Sequence, residues 1–130
     1  MLADAARVAE GKLYVFGGQW DRIFTSSFPT THASLAVVLV IEVPYDEALV
    51  DHRLAVYLER DGVATGSRLE GRLNVGHPPT TKRGAPLFVP ITMTFNAVRF
   101  DSAGRYEFVV QLDDTPVERI PLELTDRKPG

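Results

Sequence analysis

The sequence predicts an all-β domain, an antiparallel sandwich of seven to eight strands. Three observations predict it. Short β-branched and aromatic runs bounded by Gly, Pro, Asn and Asp recur along the chain. No window keeps apolar residues at i, i+3, i+4 and i+7 through three turns, so helix periodicity is absent. The candidate strands follow one another at spacings of 8 to 14 residues with no crossover helix between them, and parallel pairing would need such connections. A chain of 130 residues suits one core and would starve two. Residues 1–125 therefore read as one domain and 126–130 as a flexible tail.

Ala3 to Val8 and Leu13 to Phe16 flank Glu10 and Gly11, a connection suited to a tight hairpin. Gly17 and Gly18 tolerate positive φ and are expected to turn the chain sharply out of the second strand. Residues 17–33 then read as a long loop, in which Trp20, Ile23 and Phe24 cap an open end of the sandwich. The sharper alternative makes Trp20, with Asp21 and Arg22 beside it, a stacking platform for a sugar or for a partner's side chain.

Ser34 to Val43 places Leu35, Val37, Leu39, Ile41 and Val43 on one face, and Pro44 ends the strand. Its other face carries Ala36, Val38 and Val40. Either this strand is covered on both sides within the chain, or Val38 and Val40 meet a partner, for which a homodimer is the simplest arrangement. His52 to Arg60 alternates Leu54, Val56 and Leu58 with Ala55 and Tyr57, and Asp61 and Gly62 form the next turn.

Ser67 to Val75 interleaves Leu69, Gly71 and Leu73 with Arg68, Glu70 and Arg72, so one side faces water. Residues 76–86 form a loop with Lys82 and Arg83 near its tip, a solvated pair whose alternative role is contact with an anionic partner. Leu87 to Phe95, Arg105 to Leu112 and Val117 to Thr125 complete the strands, with Asp113 to Pro116 joining the last two. Pro86, Pro90, Pro116 and Pro121 fit edges or strand starts, where a missing N–H costs little.

DSAGRYEF, residues 101–108, resembles the corner that opens strand F of immunoglobulin-like sandwiches. Gly104 precedes the strand, and Phe108 stands where such domains usually have cysteine. The resemblance implies that the Tyr106 ring packs inward while its hydroxyl bonds upstream backbone. It implies an immunoglobulin-like architecture, not the antibody family, whose strand-C tryptophan has no counterpart beyond Tyr57. Over nearly its full length, through ADAARVAEGKLYVFGGQWDRI and GRYEFVVQLDDTPVERIPLEL, the chain also resembles a family of uncharacterised bacterial proteins of about this length. That resemblance implies a small standalone β-sandwich and attaches no activity to it.

The net charge is −3, and 14 Lys and Arg are scattered among 17 Asp and Glu. No basic stripe offers itself to phosphates, so no nucleic-acid partner is expected. The chain contains no cysteine, which removes disulfides and thiolate chemistry together. The start, MLADAARVAEGK, lacks the pattern of a signal peptide. The longest apolar run, Leu35 to Ile41, is too short for a membrane span, so the cytoplasm is the default location.

If strands run up and down, the loops at 44–51, 76–86 and 113–116 gather at one end. They would bring together Asp46, Glu47, Asp51, His52, His77, Asp113 and Asp114. A weak cation site is conceivable there, but calcium-loop spacing is absent, and no histidine pairing suggests zinc. The serines lie in no nucleophile elbow, and phosphate-loop spacing is missing. No cofactor is expected. The resulting reading is a non-enzymatic interaction or structural module that binds a protein or a small ligand. Its alternative is a small-ligand or metal-dependent binder or enzyme built on the acidic and histidine loops.

Overall fold

A computed structural model describes residues 1–74, 76 and 82–127. Nine strands are present among them: β1 (Leu2–Ala9), β2 (Lys12–Trp20), β3 (Arg22–Thr25), β4 (Thr30–Val43), β5 (His52–Arg60), β6 (Val63–Leu73), β7 (Leu87–Phe100), β8 (Gly104–Leu112) and β9 (Thr115–Asp126). A single 3-10 turn, Tyr45–Glu47, lies between β4 and β5. The strands form a four-stranded sheet, β2-β1-β4-β7, and a five-stranded sheet, β3-β9-β8-β5-β6. The all-β sandwich is therefore as expected, with one strand more than the seven to eight predicted. One pair departs from antiparallel order, since β3 runs parallel to β9. No helix among the described residues is long and apolar enough to cross a membrane.

Tight turns make the hairpins. Glu10 and Gly11, Asp61 and Gly62, and Asp113 and Asp114 all have positive φ, the backbone form that matches the right-handed twist of paired strands. The remaining connections carry the chain from one sheet to the other, so their strands cannot be hairpin partners. Period-two burial then assembles the interior. Leu35, Val37 and Leu39 of β4 face Leu54, Val56 and Leu58 of β5, with Phe95, Phe100, Phe108, Val110, Leu122 and Leu124 filling the layer between.

Residues 17–33 differ most from the sequence reading. Gly17 and Gly18 do not turn the chain out of β2, which continues through both to Trp20. They sit at an irregularity where Leu2 faces Trp20 while Ala3 faces Gly18. Gly17 has φ +59°, and a Cβ there would collide with the Asp4 carboxylate. Replacing Gly17 by alanine is expected to cost about 1–2 kcal/mol, from the left-handed backbone and displacement of Asp4. Urea denaturation checks this, and an unchanged midpoint would contradict it.

Trp20 packs on the main core together with Ile23, while Phe28 fills the capping place expected of Phe24. The Phe24 ring instead lies exposed, with the guanidinium groups of Arg22 and Arg127 5.9 and 5.7 Å from its centroid. Asp126 ends β9, and the Arg127 N–H donates to the Thr25 carbonyl at 2.6 Å; residues 128–130 lie outside the described residues.

The second face of β4 is covered mainly within the chain. Val38 is only 4% exposed, because Ala6, Leu13 and Val15 of the β1–β2 hairpin pack over Ala3, Ala36 and Val38. Val40, beyond the reach of that hairpin, is 59% exposed.

The corner at 101–108 has the expected geometry. Tyr106 is buried, and its hydroxyl donates to the Ser102 carbonyl at 2.8 Å. Its ring meets Phe100 edge-on, with centroids 5.0 Å apart. The Arg60 guanidinium lies 5.2 Å from the same ring and donates to Tyr106 Oη, Ser102 Oγ and the Ala103 carbonyl. Gly104, at φ +140°, leaves room for that guanidinium, since a Cβ would sit 2.9 Å from Nη2.

Candidate functional site

Alternation in the five-stranded sheet sends Leu54, Val56 and Leu58 inward and Ala55, Tyr57 and Glu59 outward, while β8 presents Glu107, Val109 and Gln111 on the outer face. Strand register then aligns residues from four strands into one lateral row. Arg68 faces Tyr57, Tyr57 faces Val109, and Val109 faces Arg119. Although Val109 lies on the solvent side, it is 0% exposed. The long side chains flanking it in the row shield it, as amphipathic stems do on apolar surface.

The row is tied by polar contacts. Arg68 lies over the Tyr57 ring at 5.3 Å and pairs with Glu70 at 2.8 Å. Gln111 Nε2 donates to Tyr57 Oη at 3.1 Å. Arg119 bonds Glu59 at 3.0 Å and lies 4.0 Å from Glu107; the Glu59 hydrogen bond holds the guanidinium more firmly protonated than an ordinary arginine. Beside Tyr57, the small side chain of Ala55 leaves a hollow of about 270 Å³ rimmed by Arg53, Arg68, Arg72, Glu70, Gln111 and Asp114.

Asp21 and Arg22 reach the same sheet from its other edge. They line a second groove, of about 350 Å³, with Arg105, Glu107, Pro121 and Glu123, and Arg22 pairs with Glu123 at 3.0 Å. The expected unit of Trp20, Asp21 and Arg22 is thus divided, with the indole on the core and the two charged residues on the outer surface. Lys82 and Arg83 are exposed in a turn closed by the Ala85 N–H on the Lys82 carbonyl at 3.0 Å. That turn continues into Gly84 and Pro86, which lie beside Pro44 and Asp46. It belongs to neither groove.

The acidic and histidine loops do meet at one end, although the chain does not run simply up and down. Several of their groups already have partners. His52 is buried; its Nδ1–H donates to Asp113 Oδ2 at 2.7 Å and its Nε2–H to the Glu47 carbonyl at 2.8 Å. Two acceptors on two ring nitrogens require the imidazolium. The Asp113 hydrogen bond, followed by that to Glu47, raises the His52 pKa. In return the His52 bond, followed by the Arg53 N–H at 2.9 Å, lowers that of Asp113.

Arg53 pairs with Asp114, and Asn74 donates to Asp51 at 2.7 Å. His77 lies outside the described residues. Among the described residues no group of three or more His, Asp or Glu is arranged to hold a metal ion. The arrangement joins the 44–51 connection to the β8–β9 turn.

Sequence reading passed over Tyr57, Arg68, Gln111 and Arg119 as contact residues. The available signal was alternation, which marks them as outward-facing; their common row depends on register between strands.

A protein-family model described as a family of unknown function (DUF6941) matches residues 1–125. No curated protein and no solved structure matches the chain.

Proposed function

The chain belongs to DUF6941, a family of unknown function, and from its geometry we propose that it is a non-enzymatic interaction module that binds a protein partner on the outer face of the five-stranded sheet. The row Arg68–Tyr57–Val109–Arg119 carries this reading. Tyrosine and arginine dominate the energetics of protein interfaces. Here they are already held by neighbours, so less side-chain freedom is lost on binding. The hollow over Ala55, with arginines on its rim, suits an acidic anchor residue from the partner. An immunoglobulin-like classification goes with this reading. It is supported by the Tyr106–Ser102 bond.

Arg68→Glu tests the proposal. The exposed pair it breaks contributes about 0.2–1 kcal/mol, so the melting temperature should move by only a few degrees. Tagged wild-type protein, isolated from cells that naturally express it, should retain a partner that cross-links to the β5–β6–β8 face, and the variant should lose it. A partner kept in full by Arg68→Glu, or cross-linked only elsewhere, would contradict the proposal.

A further inference from the structure

β6 is the outer strand of the five-stranded sheet and, among the described residues, pairs only with β5. The direction of its peptide groups follows from β5. The Asp113 N–H donates to the Arg53 carbonyl at 2.8 Å, so Arg53, Ala55 and Tyr57 turn their N–H and C=O to β8, and Leu54 and Val56 turn theirs to β6. The Thr65 hydroxyl, which donates to the Leu58 carbonyl at 3.2 Å, agrees with this parity. Leu69 and Gly71 face Val56 and Leu54 and are engaged with β5. Arg68, Glu70 and Arg72 therefore direct their N–H and C=O to the open edge.

Other edges of the sandwich are blunted. β2 has positive φ at Gly17 and Gln19, β3 is four residues long, and β7 carries Pro90 and a positive φ at Ala97. Residues 68–73 have no proline, positive φ or bulge. Gly71 stands among them, and a Cβ there would meet nothing within 4 Å. Neither backbone conformation nor packing within the chain calls for this glycine. In a strand without a bulge or bend, glycine often marks a place where another backbone comes close.

We propose that this edge is a self-association site, where a second copy of the chain adds its own β6, antiparallel, about a two-fold axis at Gly71. The side chains are self-complementary about that axis. Glu70 meets Arg72 of the other copy and Arg72 meets its Glu70, while on the core side Leu69 meets Leu73. Arg72 has no ion-pair partner among the described residues, whereas Arg53, opposite it on β5, is already paired with Asp114. Arg68 comes level with Asn74, whose amide donates to Asp51 at 2.7 Å. An axis at Arg68, Glu70 or Arg72 would oppose like charges. One at Leu69 would set Arg72 against Gly66, where φ is +103°. An edge contact of this size gives a weak, reversible dimer.

Sedimentation equilibrium of the purified chain tests this. The wild type should show a monomer–dimer equilibrium with a dissociation constant below about 1 mM. Glu70→Arg sets arginine against Arg72 of the other copy, and Arg72→Glu sets glutamate against Glu70, so each variant alone should dimerise at least about tenfold more weakly. Mixing the two variants restores both opposite-charge pairs, and the mixture should form a heterodimer close to wild-type strength. A wild type that stays monomeric at that concentration, single variants that dimerise as well as wild type, or a mixture no tighter than its components would each overturn the proposal.

Discussion

Phe108→Ala is expected to destabilise the domain by about 3–5 kcal/mol, the range for deleting a buried aromatic ring from a close-packed interior. Phe108 is 0% exposed and sits between Leu58 and Ile120 in strand register, with its ring 5.1 Å from that of Phe95. Its removal opens a void where both sheets meet, and the rigid neighbours on β5, β7 and β9 can collapse only in part. Phe108→Leu keeps most of the volume and should cost about 1–2 kcal/mol. Urea unfolding measures both, with an unchanged slope showing that the denatured state is not the cause. A loss below about 1 kcal/mol for the alanine variant would mean that Phe108 is not part of a packed core.

The second large effect is expected at His52 and depends on pH. Because its folded pKa is raised above the ordinary 6.5, the imidazolium contribution is fully present below 6.5 and is lost as pH rises through the folded value. Asp113 has the opposite sign. Its pKa is lowered from 3.8, so its contribution is present above 3.8 and is lost as pH falls through the folded value. The pair therefore stabilises the fold most between these two ordinary values. In that window His52→Gln should lower the melting temperature by several degrees, and the gap from wild type should narrow on the alkaline side. A gap that stays constant from acid to alkali would show that His52 is not held as the imidazolium.

The same residues show why the candidate site was only partly legible. His52 read as one of several acids and histidines gathered in loops, and the gathering is real. Its bonds to Asp113 and the Glu47 carbonyl, however, occupy both ring nitrogens. Val38 read either as covered within the chain or as meeting a partner, because its strand is apolar on both faces; Leu13 and Val15 cover it because the β1–β2 hairpin folds over β4. Asp21 and Arg22 do face outward, yet their neighbours are Arg105 and Glu123, distant in sequence.

What the sequence by itself determined is local. Period-two alternation sets which side of a strand is apolar, and Glu10–Gly11, Asp61–Gly62 and the acids after Leu112 set where the chain can reverse. The spacing of Gly104, Tyr106 and Phe108 marks a corner whose tyrosine hydroxyl bonds a carbonyl four residues upstream. These follow from backbone sterics and side-chain direction within a few residues.

Only the tertiary structure decided which strands are neighbours. It placed the four-residue β3 parallel to β9 and joined Arg68, Tyr57, Val109 and Arg119 into one row. Alternation gives a strand two faces but no partner. Partner and register come from packing between segments tens of residues apart, where many weak contacts are optimised together.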